Sequence, residues 1–310
     1  MDNTKLKYPN FYAQPDFEKI LTNPILDIAA RFWDDDRYEA FQVCYRSMRV
    51  IDDLVDDRKE KEIEMSASEK KELESLINHW MIQFEKNQPI DDFQKELLDI
   101  KHKFNIPLWP WQRLAKSMIF DIYHIRFDSF LTFLRYTEGA AISPASIFMH
   151  LCGVSKSGTK YKQPVFDIRY AARYLALFSY LVHIMRDFEK DQKRSLNYFA
   201  FDLMQKNNLT DSELRNAALR SKISGNIRQL FQQYYDIAHY YQNKSRKLVN
   251  EIQPSLQDRY QLSYELIFQL YSQIFDRIDT KNGTFTENEL LPSAAERKSR
   301  IDQTVSSFVP

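Results

Sequence analysis

Tyr45-Arg-Ser-Met-Arg49-Val-Ile-Asp52-Asp53-Leu-Val-Asp56-Asp57 is the stretch that decides what kind of protein this is. On an α-helix, residues four apart lie on one face. Tyr45, Arg49, Asp52 (or Asp53) and Asp56 then form one stripe, with Asp52 and Asp56 as a carboxylate pair one turn apart. Mg²⁺ prefers oxygen ligands and keeps several of its waters. Such a pair holds it against a diphosphate, which supplies the remaining oxygens. Arg49, one turn earlier, offers a fork for a phosphate. An acidic stretch of this kind, taken alone, also suits a solvated helix end.

A second stretch shifts the balance: Tyr180-Leu-Val-His183-Ile-Met-Arg186-Asp187-Phe-Glu-Lys-Asp191. His183, Asp187 and Asp191 are again spaced by four. They follow the apolar run Tyr174-Leu-Ala-Leu-Phe-Ser-Tyr-Leu-Val-His-Ile-Met185, which reads as a buried helix opening onto a polar site. Carboxylates near a helix C-terminus oppose the helix dipole, and this conflict argues for a bound cation. Two copies of Arg beside Asp-x-x-x-Asp are far rarer by chance than one.

The rest of the chain supports a helical frame. The 310 residues contain 5 Gly, too few for nucleotide-binding loops or β-rich folds, against 22 Phe and 18 Tyr. Lys+Arg and Asp+Glu are 43 each, so no net field attracts nucleic acid, and that partner class is excluded. Cys44 and Cys152 sit in apolar helical contexts and read as buried hydrophobes, which points to a cytoplasmic setting. Neither a signal peptide nor an apolar span of about 18 residues is found.

Helical periodicity predicts elements at 16–33, 37–57, 69–86 (capped by Ser66 or Ser68), 91–104, 111–135, 144–153 (Ser143 as cap), 165–190, 211–221, 225–250, 254–279 and 293–305. No strand pair is expected, and 153–164 and the charged 58–70 read as loops. One domain over 1–310 is expected, with 1–15 and 282–310 peripheral. Glu138 reads either as an acid facing a cavity or as the partner of Arg135 or another Arg. Lys160-Tyr161-Lys162 reads as a solvated loop or a flap over a diphosphate. His79, His102, His124, His150 and His239 lack metal spacing.

At these residues the chain resembles the squalene/phytoene synthase family. Tyr45, Arg49, Asp52 and Asp56 match the spacing of its first motif. Arg186, Asp187, Asp191 and Tyr198 match its second. Tyr136-Thr-Glu-Gly139 occupies the place of the family's Val-Ala-Gly element, and Tyr271-Ser-Gln-Ile-Phe-Asp-Arg277-Ile278 looks like its closing helix.

The resemblance implies an all-α, single-domain isoprenoid synthase fold with a central cavity. Two aspartate-rich helices would face each other across the cavity mouth and bind Mg²⁺ and diphosphate. It implies a transferase joining two farnesyl or geranylgeranyl diphosphates head to head. Asp52, Asp53, Asp56, Asp187 and Asp191 would be metal ligands, with Asp52, Asp56, Asp187 and Asp191 also catalytic. Tyr45, Arg49, His183, Arg186, Tyr198, Phe133 and Tyr136 would bind substrate. NADPH is not inferable: squalene formation needs a hydride, phytoene formation does not. Peripheral membrane contact is expected for a long hydrocarbon product, and the oligomeric state is left as monomer or homodimer.

The chain departs from the pattern at several places. Asn23-Pro-Ile-Leu26 stands near the family's Ser-Lys-Ser-Phe, His183 replaces Asn, and Ser195-Leu196 replaces Gly-Arg. Phe133 replaces a cavity Tyr, and Phe178 and Tyr180 stand in place of Ala and Gln. These changes motivate two alternatives: a terpene synthase (lyase) cyclising one prenyl diphosphate, and a non-catalytic isoprenoid-binding relative.

Overall fold

A computed structural model describes residues 24–59, 65–124 and 126–308. Apart from one short hairpin, the regular elements in these residues are helices. The chain divides into two compact units. Among the described residues, one comprises those up to 124 together with 138–172, the other 126–137 and 173–308.

The first unit contains α1 (Pro24–Ala30), α2 (Asp35–Lys59), α3 (Ala67–Glu85), α4 (Asp92–Phe104), α5 (Trp109–Tyr123), a π-helical segment (Glu138–Ile142) and α7 (Ser143–Gly153). α5 packs against α2, α3, α7 and the π segment. Trp80, Phe84 and Trp111 are buried together, with ring centroids 5.2 Å apart for Trp80–Phe84 and for Phe84–Trp111. The Trp111 indole N–H donates to Ser47 Oγ at 2.9 Å, so this ring buries its area without an unpaired donor. Ser66 Oγ accepts from Glu69 N, the expected cap of α3, and Asp91 caps α4 in the same way.

The second unit contains α6 (Phe130–Thr137), the greater part of α8 (Ile168–Arg186), α9 (Phe188–Lys193), α10 (Phe201–Lys206), α11 (Asp211–Arg220), α12 (Gly225–Ile252), α13 (Asp258–Phe275), α14 (Glu287–Leu290) and α15 (Ala294–Ser307). α13 packs against α12 and α15, and α9 against α11 and α14. Thr210 and Ser293 form capping boxes with Glu213 and Glu296. No helix among the described residues is long and apolar enough to cross a membrane.

Several expectations are corrected. The single helix over 111–135 is two helices, α5 and α6. Ser129 Oγ accepts from the Thr132 N–H at 3.2 Å and starts α6, while the Phe127 carbonyl accepts from Phe201 N at 2.8 Å instead of a helical donor. Ser143 is not a cap. Its hydroxyl donates to the Glu138 carbonyl at 2.7 Å, closing the wide turn of the π segment. The segment after Gly153 is a hairpin, β1 (Ser155–Ser157) antiparallel to β2 (Lys160–Lys162), with Gly158 at φ +61°. It is pinned through Tyr161, whose buried ring lies 4.3 Å from Phe104 and whose hydroxyl donates to Asp36 at 3.1 Å. α10 and α14 were not anticipated. Asn23 and the first part (16–23) of the predicted helical region 16–33 lie outside the described residues, and Pro24-Ile25-Leu26 opens α1.

Candidate functional site

The first aspartate stretch lies in the last turns of α2. Arg49 donates through Nη1 to Asp52 and through Nη2 to Asp53, so one guanidinium clamps both acids. Tyr45 is half-buried, its ring 5.8 Å from Phe41. Asp57, one turn after Asp53, is exposed, and its charge adds to the crowding at Asp53.

A residue that the sequence reasoning passed over joins this group. Asp121, on α5, is 4% exposed and accepts from Lys59 Nζ at 3.0 Å. Its charge raises both Asp52 and Asp56. The only signal in the sequence was a lone carboxylate in the aromatic stretch Phe120-Asp-Ile-Tyr123, whose partners are 62 residues away.

The electrostatics here are those of an acid cluster short of positive charge. Burial pushes the Asp52 carboxyl above the usual range, against the pull of Arg49. Burial and the charges of Asp52 and Asp121 push Asp56 well above it. Burial, opposed by Arg49, places Asp53 at about 6. Burial works against the Arg49 charge, but Asp52 and Asp53 more than offset it and hold the guanidinium charged. Arg49 Nε is buried without an acceptor. An added dication would relieve the carboxylates, and an anionic oxygen would satisfy the Nε donor. Hard carboxylate oxygens in pairs suit Mg²⁺.

The second stretch is built differently from the sequence reading. The helix expected over 165–190 breaks at Asp187 (φ −90°, ψ 8°), which ends α8 and precedes α9. Asp187 therefore sits at the junction of two helices, at the C-terminus of α8 and the N-cap of α9, and Asp191 lies in the first turn of α9. The Asp187 carboxylate is held from two sides. Arg186 donates through Nε at 2.5 Å and through Nη2 at 2.8 Å, and His183 Nε2 lies 3.1 Å from Oδ2. Arg186 Nη2 also lies 2.9 Å from His183 Nδ1. A guanidinium only donates, so Nδ1 accepts and Nε2 carries the hydrogen directed at Asp187. His183 thus orients Asp187 with one nitrogen and Arg186 with the other.

This arrangement separates the two acids. Burial works to raise Asp187, but the contacts of His183 and Arg186 outweigh it and hold the carboxyl below the usual range. Burial and the Asp187 charge push Asp191 up to about 7.

The other named positions are also placed. Tyr198 is half-buried in the connection between α9 and α10. Tyr136 is buried, 4.9 Å from Phe127. Phe133 is fully buried among Phe127, Phe130, Tyr180 and Tyr234. Glu138 accepts a two-pronged bond from Arg169 at 2.7 and 3.0 Å, which agrees with the reading of this acid as the partner of an Arg other than Arg135. Among the described residues, no three Asp, Glu, His or Cys side chains form a ready-made metal site. Each cluster offers carboxylates that need further oxygens from elsewhere.

Comparison with known proteins agrees with these motifs. The squalene/phytoene synthase family model matches residues 27–297. Phytoene synthase 2, chloroplastic, of Zea mays is 23% identical over 219 residues, covering 70% of this chain and 51% of that protein. Its namesake in Solanum lycopersicum is 23% identical over 181 residues, covering 58% of this chain and 55% of that protein. The chain thus spans about half the length of these curated relatives. Among solved structures, a dehydrosqualene synthase superposes with a TM-score of 0.71 at 15% identity, covering 97% of this chain and 98% of its own. A squalene synthase from Alicyclobacillus acidocaldarius superposes with a TM-score of 0.64 at 14% identity, covering 94% of each. At such identities the superpositions establish the all-α isoprenoid synthase fold. With the family match running from α1 to α15 and taking in both aspartate stretches, the chain belongs to the squalene/phytoene synthase family.

Proposed function

We propose that this protein is a Mg²⁺-dependent prenyltransferase that condenses two farnesyl or geranylgeranyl diphosphates head to head into a squalene- or phytoene-like product. The observation that carries this reading is the state of the two acid clusters. Asp52, Asp56 and Asp191 are buried or crowded enough to be held above the ordinary carboxylate range. They are short of cations in a family whose motifs they match. Mg²⁺, when bound, neutralises the leaving diphosphate. Asp52, Asp53 and Asp56 in one cluster, and Asp187 and Asp191 in the other, would hold it. Arg49 offers its unsatisfied Nε and Arg186 its guanidinium to phosphate oxygens. Tyr45 and Tyr198 are assigned to substrate binding beside them. The buried aromatic rings around Phe133 exclude water from a developing allylic cation and present ring faces to it.

A second reading, a lyase that ionises and cyclises a single prenyl diphosphate, is favoured by one feature. The rings of Phe133 and Tyr180 stack at 5.9 Å and add bulk beside the second motif.

The test is Mg²⁺-dependent diphosphate release from farnesyl and geranylgeranyl diphosphate, with and without NADPH, and with products identified by mass. Asp52→Ala and Asp187→Ala serve as controls and are each expected to reduce release by a factor of at least about 100. A product of twice the substrate's carbon number supports condensation, and a monomeric hydrocarbon or alcohol supports the lyase. No release from either substrate would rule out both reactions and leave a non-catalytic isoprenoid-binding relative.

A further inference from the structure

Two bulky side chains, Phe178 and Tyr180, stand on α8 about two turns before Asp187, and they do different things. Phe178 is fully buried, its ring 6.0 Å from Phe268 and 5.5 Å from Phe275 on α13, so it belongs to the packing core. Tyr180 is only half-buried. Its ring stacks on His183 at 6.2 Å and 10°, and on Phe133 at 5.9 Å and 24°. It therefore continues the stripe of His183 and Asp187 along the helix. Phe133 is completely buried and has Phe127, Phe130 and Tyr234 against it, so the ring bracing Tyr180 has nowhere to retreat.

We propose that Tyr180 is a specificity-determining residue that sets the length of prenyl chain this protein accepts. The inference rests on the prenyl diphosphate reading above. With a diphosphate at Asp187, the tail has one direction to run. On the C-terminal side α9 carries Lys190 and Lys193, with Arg194 after it, while on the N-terminal side, beyond Arg186 and His183, α8 is largely apolar back to Tyr174. Seven residues along α8, about 10 Å at 1.5 Å per residue, the tail meets the Tyr180 ring. Four residues further on the same stripe is Ala176, which adds little bulk. The phenol ring, rather than the wall beyond it, limits the chain. A braced ring at this depth favours farnesyl over geranylgeranyl diphosphate. The limit is steric, so it belongs to the ring and not to its hydroxyl.

The test is the ratio of kcat/KM for diphosphate release from geranylgeranyl and farnesyl diphosphate, in the wild type, Tyr180→Ala, Tyr180→Gln and Tyr180→Phe. The expected result is a rise of about tenfold or more in Ala and Gln, and a ratio within about twofold of wild type in Phe, since pocket shape discriminates by factors of this order. An unchanged ratio in both Ala and Gln, or an equal rise in Phe, overturns the proposal. Failure of the wild type to release diphosphate from any substrate would instead count against the reading on which it rests. In that case calorimetric binding of the non-ionising thiolodiphosphate analogues of both lengths decides. Tighter binding of the longer analogue by Tyr180→Ala than by wild type sustains the proposal, and equal length preference in the two proteins overturns it.

Discussion

His183 lies one turn before Asp187, with its Nε2 3.1 Å from the Asp187 Oδ2 and its Nδ1 engaged by Arg186. The sequence reading puts this histidine among the substrate-binding residues; from its contacts to Asp187 and Arg186 we propose that it also orients the carboxylate. Replacing it leaves Asp187 with Arg186 alone. His183→Ala is expected to raise the Mg²⁺ concentration for half-maximal diphosphate release by about 10- to 100-fold, the usual cost of losing a partner that orients a ligand. His183→Asn, whose amide can still donate to Asp187, is expected to retain more. A magnesium titration of both variants checks this, and equal losses in the two would refute it.

Asp121 raises Asp52 and Asp56 through its charge. Asp121→Asn removes that charge and lets both carboxyls fall toward the ordinary range. The acid limb of the pH profile of diphosphate release should then move to lower pH, by roughly half a unit to one unit. A limb that stays in place, or moves to higher pH, contradicts the electrostatic role of Asp121.

Asp191 is held at about 7, against 3.8 for a free aspartate. A carboxyl with a raised folded value favours the folded state only while protonated. Its contribution is therefore lost as pH rises from about 4 through 7. In the absence of Mg²⁺, Asp191→Asn should stabilise the protein at pH 8 by about 1–2 kcal/mol, a figure discounted because the carboxylate is partly in solvent. The melting temperature should rise by about 2–4 °C. At pH 4.5 the difference should disappear. Thermal melts of both proteins at the two pH values check this, and an equal offset at both would disprove the linkage.

Gly139 is the one glycine in the π segment, and a Cβ there would lie 2.2 Å from the Arg113 carbonyl oxygen and from Ser117 Oγ. The backbone oxygen cannot swing aside as a flexible side-chain end would. Gly139→Ala should cost about 1–3 kcal/mol or more through overpacking between α5 and this segment. Removing the Ser117 hydroxyl in the double variant with Ser117→Ala should recover only part of the loss, because the carbonyl contact remains. Chemical denaturation of the three proteins checks the order.

What the sequence determined is what a helix determines locally. Periodicity set the all-α character, and a spacing of four placed Asp52 with Asp56 and His183 with Asp187, because 3.6 residues per turn bring such positions onto one face. The cap at Ser66 follows from an equally local hydrogen bond. What only the tertiary structure decided are the partners brought from afar and the places where a helix yields to packing. Lys59 meets Asp121 across 62 residues and Glu138 meets Arg169 across 31, and no short-range pattern encodes either pair. The helix expected over 111–135 breaks because Ser129 and the Phe127 carbonyl find better partners than the next helical turn. α8 ends at Asp187 where the carboxylate is held by His183 and Arg186. Of two bulky residues two positions apart on α8, packing turns Phe178 into the core and leaves Tyr180 in line with the aspartates. Residues two apart on a helix point in different directions, and only the neighbouring helices decide which direction is buried.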